Sequence, residues 1–148
     1  QRADKGNRGV FCGGAVQLRD GTVVTGINSP TMHSTSSVVL NTIKHLAGIP
    51  RHLHLLSPNI IESMANLKEK VLNYNTLSLD LEETLIALSI ASTTNPTAQL
   101  AMERLIDLRG CEVHLTHIAP PGDEIGLRKL GVNLTTDPYF ATSNLFVG

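Results

Sequence analysis

The stretch VFCGGAVQLRDGTVVTGI, residues 10–27, decides the fold. Val10–Leu18 and Thr22–Ile27 are β-prone runs, and Asp20-Gly21 stands between them. Glycine takes the positive φ that a tight connection needs, so Asp-Gly between such runs predicts an antiparallel hairpin. Gly13-Gly14 inside the first run predicts a bulge or a close approach of another backbone. Asn28-Ser29-Pro30 then breaks the second strand.

Beyond that point the pattern alternates between helix and strand. Val38, Val39, Ile43 and Leu46 recur at helical spacing in a helix from Ser34 or Thr35 to about Ala47, closed by Gly48 and barred from continuing by Pro50. His52–Leu56, HLHLL, reads as a short strand. Ser57-Pro58 opens a second helix, with Ser capping and Pro at the first helical position. A third helix starts at Ser78 or Asp80 and runs through Ile90, its acidic start complementing the helix dipole. A fourth runs from Pro96 to Leu108. Cys111–Ile118 is a strand, Pro120-Pro121-Gly122 a turn, Asp123–Leu130 a short helix and Val132–Leu134 a last strand. A hairpin followed by such alternation predicts the α/β class: three α/β/α layers, parallel crossovers after the hairpin, and a mixed sheet of about five strands. Residues 1–9 read as a linker, 10–134 as a single α/β domain, and 135–148 as a tail facing a partner or another domain.

Composition narrows the function. The 148 residues carry a net charge of −1, which leaves no electrostatic footprint for nucleic acid. Aromatic residues are 3% with no Trp, so there is no stacking platform for single-stranded bases. No apolar run reaches the length of a membrane span, and the polar start is no signal peptide. The two cysteines, Cys12 and Cys111, form no CxxC pair and read as free thiols of a cytoplasmic protein. Charged residues are only 17%, which points to a surface covered by an upstream domain of a longer protein or by another copy of the chain.

Two resemblances follow from the residues. Val10 to Ala47, as strand, Asp-Gly turn, strand and a His near a helix start, resembles the opening of the cytidine-deaminase fold. The corresponding triplet here is His33-Ser34-Thr35; the catalytic Glu of that family is absent, and so is its Pro-Cys-x-x-Cys motif. The resemblance thus implies topology without zinc chemistry. The strings AVQLRDGTVVTGINSP, LNTIKHLAGIP, LLSPNIIESM, LEETLIALSIASTTNPTAQLAMERL, LRGCEVHLTHI and LRKLGVNLT resemble the carboxyl-terminal part of the bacterial family called domain of unknown function 1846. That resemblance implies a longer protein whose glycine-rich, phosphate-loop-like stretch lies upstream; GxxxxGK[ST] does not occur in this chain.

Several residues are candidates for chemistry. Ligands of α/β sheets bind outside the carboxyl ends of strands. His117, Asp123 and Glu124 follow one strand, Asn28 and Ser29 leave another, and Ser57 leaves the HLHLL segment. If those ends converge, His117 with Asp123 or Glu124 forms a catalytic set and Asn28, Ser29 and Ser57 bind the ligand. The opposed directions of the hairpin strands could defeat that convergence. His33 is a base or ligand candidate beside a helix start, where capping is the plainer role. Thr93-Thr94-Asn95 is a second seat for an anion, with a satisfied helix cap as the plainer reading. His52-x-His54 would share a strand face without a third ligand, so no metal and no cofactor are expected. The expected function is binding of a small polar or phosphorylated, anionic metabolite as part of a larger enzyme; the alternative is a structural domain or one that assembles as a homo-oligomer.

Overall fold

The computed structural model describes residues 13–74 and 76–137. The hairpin forms as the Asp-Gly signal requires: β1 (Gly13–Gln17) pairs antiparallel with β2 (Val23–Ile27), Val16 opposite Val24, and Gly21 takes φ +90°. Cys12 and residues 10–11 of the expected first strand lie outside the described residues.

Among the described residues five α-helices follow: α1 (Ser34–Ala47), α2 (Pro58–Lys70), α3 (Leu81–Ala91), α4 (Pro96–Met102) and α5 (Pro121–Leu130). Three of them, α2, α3 and α4, start at side-chain caps. Ser57 caps α2 and Asn95 caps α4, each with Pro behind it. Asp80 and Glu83 close a capping box on α3, each side chain taking the other's backbone N–H. Gly48 and Gly131 end α1 and α5 in the left-handed conformation. The expected helix to Leu108 tightens into a 3₁₀ helix at Glu103–Leu108, which buries Leu108 and leaves Ile106 73% exposed. Pro120-Pro121-Gly122 is not a separate turn, because Pro121 and Gly122 are already the first residues of α5.

Two further strands, β3 (Glu112–Leu115) and β4 (Asn133–Thr136), complete a mixed sheet of order β2-β1-β3-β4. β1 is antiparallel to both neighbours, and β3 and β4, joined through α5, form its parallel pair. The α/β class with a mixed sheet is as read from the sequence. HLHLL is not a strand, which leaves four strands among the described residues. Leu55 and Leu56 are buried in succession, which an alternating strand cannot do. Side chains also take over the work of a ladder there. Lys44 Nζ donates to the carbonyls of Arg51 (2.7 Å) and Leu53 (2.9 Å), and Arg51 itself donates to the carbonyl of Thr25 (2.7 Å).

The buried sheet face carries Val16, Val24, Val113 and Leu115 beneath Val38 and Ile43 of α1. The opposite face, with Thr25, Glu112 and His114, is exposed, so no described helix supplies the outer layer expected there. None of the described helices is long and apolar enough to cross a membrane. Helix α1 comes down on a floor made by Gly14 and Gly26, which face each other across the hairpin. A Cβ on Gly26 would meet Val38 N at 2.5 Å and Val38 Cα at 2.7 Å.

Gly26→Ala should therefore cost about 2–3 kcal/mol, because the main chain of α1 cannot step aside. Gly21→Ala meets no atom within 4 Å and should cost only the left-handed strain, about 1 kcal/mol. Urea unfolding of both variants checks the ranking; equal losses would contradict the close approach.

Candidate functional site

The registers bring strand ends together. Ile27, Leu115 and Thr136, the carboxyl ends of β2, β3 and β4, lie along one edge with the amino end of β1. The reversed hairpin strand contributes its start rather than its end, so the opposed polarity does not break up the edge. Helices α1 and α5 begin beyond this edge, and α3 is tied to it: Met32 bridges Leu79, and His33 N–H donates to the Leu79 carbonyl (2.9 Å).

Asp123, in the first turn of α5, is fully buried. Its Oδ1 accepts the Leu81 N–H at 2.8 Å, and its Oδ2 lies 3.0 Å from His33 Nδ1. The carboxylate thereby fixes the tautomer, with the proton on Nδ1 and Nε2 left as the basic atom. His33 Nε2 makes no hydrogen bond among the described residues, and its side chain is 23% exposed. Burial pulls the His33 pKa down, but the Asp123 hydrogen bond and charge outweigh it, so the net shift is upward. His117 is 3% exposed and its Nδ1 has no partner. Burial holds its pKa below the ordinary value, and the charge of His33 acts the same way against an opposing pull from Asp123. Burial likewise raises Asp80, with the Glu83 and Asp123 charges adding to it. Helix α1 has no side-chain cap from His33, and the buried hydroxyls of Ser34 and Thr35 in its first turn lack partners.

The structure thus joins His33, before α1, to Asp123, in the first turn of α5, and His117 lies near enough for the charges of both to act on it. Asn28 is buried at the same edge. Glu124 turns outward to Arg128 at 2.7 Å. Ser29 Oγ accepts the Met32 N–H (3.1 Å) and Ser57 Oγ accepts the Ile60 N–H (3.3 Å), each a local cap. Thr93, Thr94 and Asn95 sit beyond the far end of the 11-residue α3. An α-helix of that length separates them from the His33 edge by about 16 Å. Asn95 Oδ1 there accepts from Thr97 and Ala98. Among the described residues no three His, Cys, Asp or Glu side chains form a group that could hold a metal ion. Asp80 was not among the sequence candidates; the Asp80-x-x-Glu83 spacing of a capping box was its visible signal.

Comparison with known proteins places residues 1–146 on a family model described as domain of unknown function DUF1846, C-terminal. A UPF0371 protein of Clostridioides difficile strain 630 is 50% identical over 132 residues, 89% of this chain and 26% of that protein. A UPF0371 protein of Clostridium tetani is 48% identical over the same shares. The chain therefore spans about a quarter of the length of these relatives.

The two histidines should respond to pH in opposite senses. His33, with a raised pKa, contributes stability that is complete below the ordinary imidazole pKa and is lost as pH rises through its raised value. His117, with a lowered pKa, contributes stability that is complete above the ordinary value and is lost as pH falls through its lowered one. NMR titration should find His33 above and His117 below a free imidazole. In Asp123→Asn the His33 value should drop below it, since burial remains and the carboxylate charge does not. An unmoved His33 titration would contradict the pairing.

Proposed function

The chain belongs to the DUF1846 carboxyl-terminal domain family, and from there we propose that it binds a small polar or phosphorylated metabolite at the His33 edge, as one part of a larger enzyme. The observation that carries this reading is the buried Asp123 carboxylate held against His33 Nδ1, with Nε2 left over on a partly exposed ring. A carboxylate behind an imidazole fixes its tautomer and raises its basicity, which suits Nε2 to accept or return a proton. Asp123 is the positioning residue. His117, whose pKa burial lowers, has an unpartnered Nδ1 and supplies a further hydrogen-bonding nitrogen. The amino end of α1, which has no side-chain cap, favours the anionic part of the ligand.

Two carboxylates, Asp123 and Asp80, act on the charge of His33. An anion is therefore held best when His33 is protonated, and binding weakens as pH rises through the raised His33 pKa. Thermal shift with inorganic phosphate, ribose 5-phosphate and AMP tests this at about pH 6 and about pH 8, on either side of an ordinary imidazole. A ligand at a hundredfold its Kd adds about 2.7 kcal/mol, several degrees of Tm for a domain of this size. The expected result is a rise at the lower pH, a smaller one at the higher pH and none in His33→Gln. An unchanged Tm across the panel would overturn the reading.

A docking role has its own support. Ile86 and Ile90 on α3 are 59% and 57% exposed, and Leu100 and Ile106 are also exposed. An apolar surface of this kind suits the upstream part of the longer protein or a second copy. Sedimentation should give a mass above 15.9 kDa at high concentration, and Ile86→Lys with Ile90→Lys should return the monomer. A monomer throughout would remove self-association.

A further inference from the structure

A cleft of about 740 Å³ lies between the 27–32 connection, α1, the 50–57 connection and α2. It contains none of His33, Asp123 and His117, and it falls within the 300–1,000 Å³ typical of small-molecule sites. Its lining has two characters. Leu40, Leu55 and Leu56 are buried core residues that present an apolar wall. Lys44, Arg51, His52 and His54 line the same space, where Glu62 is the only acid among the described residues.

The cationic part is short of counter-charge. Lys44 is 7% exposed and makes no ion pair among the described residues. Its two hydrogen bonds go to neutral carbonyls, those of Arg51 and Leu53, and the Arg51 bond to Thr25 is also to a carbonyl. An ammonium has three donors and a guanidinium five, so both cations keep donors beyond these bonds. Burial lowers the Lys44 pKa, and the neighbouring Arg51 charge lowers it further. A buried cation beside another cation is costly to hold unless an anion joins them. The sequence brought His52 and His54 forward as a doubtful metal pair. The bend that replaces the expected strand instead makes both side chains part of this rim.

We propose that this cleft binds an amphipathic anion: one phosphate, carboxylate or sulfonate head met by Lys44 and Arg51, and an apolar body laid along Leu40, Leu55 and Leu56. Neither part suffices alone. The head discriminates against cations of the same shape, and the body discriminates against free inorganic anions.

Isothermal titration of the chain with octyl phosphate, octyltrimethylammonium and inorganic phosphate separates these contributions. Octanoate and octyl sulfate then report whether the head must be phosphate. The expected result is saturable one-to-one binding of octyl phosphate, at least tenfold tighter than either control. Arg51→Glu should weaken it by tenfold or more, and His52→Glu with His54→Glu by a smaller factor. These side chains are exposed and can be exchanged without emptying the core, whereas Lys44→Met risks the fold by releasing the 50–57 connection. His33→Gln should leave octyl phosphate binding unchanged, so failure here is distinguishable from failure at the His33 edge. Equal affinity for the ammonium, no saturable binding, or an Arg51→Glu variant that binds as before would each overturn the proposal.

Discussion

A carboxylate removed from water has to be hydrogen-bonded on both oxygens or lose several kcal/mol. Asp123 meets that demand by drawing three elements to one point. It belongs to the first turn of α5, its Oδ1 takes the leading N–H of α3, and its Oδ2 holds His33 at the start of α1. The three helices are far apart in sequence, and their contacts with the sheet differ. This one group makes their amino ends a common edge. Gly122 is part of the same arrangement: a Cβ there would overlap the Asp80 carboxylate, so the chain before Asp123 can approach α3 only without a side chain.

The helix amino ends along the edge are satisfied in different ways, and the difference gives the edge its chemical character. Helix α3 has its Leu81 N–H accepted by Asp123 and its Glu83 N–H by Asp80. Helix α5 opens with Pro121, which has no N–H to satisfy. Helix α1 has neither arrangement, and the Ser34 and Thr35 hydroxyls of its first turn lack partners, while Ser36 donates to the Leu79 carbonyl. The vacancy in hydrogen bonding thus falls next to His33, the one ionisable side chain of the cluster with an exposed ring edge. The cleft beside α2 follows a parallel logic with the same sign, since there too hydrogen-bond donors are in surplus, cationic side chains in place of helix N–H groups.

Local rules carried much of this architecture. Asp20-Gly21, Ser57-Pro58, Asn95-Pro96, Gly48 and Gly131 each act within a few residues, and each stands where those rules place it. Failures came where distant groups decide. HLHLL has strand composition, but the Leu53 N–H bonds back to the Pro50 carbonyl and Lys44 Nζ holds the Leu53 carbonyl, which fits a bend, and the Lys44 contact is not visible in the five residues themselves. His33, Asp123 and His117 were all legible as chemically capable residues. The pairing of His33 with Asp123 was not, because the two lie 90 residues apart and the Leu81 N–H that anchors Asp123 leaves no mark in side-chain identity. Glu124 was as plausible as Asp123 by sequence. One helical step of about 100° separates a buried carboxylate from one that pairs with Arg128 in solvent.

The glycine floor under α1 has a different meaning at each of its two positions. Gly26 is crowded by main-chain atoms of Ser37 and Val38, so no exchange of those side chains can make room for a methyl group. Gly14 is crowded by the side-chain ends of Leu115 (2.9 Å) and Val38 (3.3 Å), which a smaller residue at either place would withdraw. Over many generations of drift, position 26 would stay glycine with no partner to vary alongside it. Position 14 would be free to exchange volume with position 115. A pairwise record of substitutions would reveal the second contact and miss the first, although the first is the more constraining of the two.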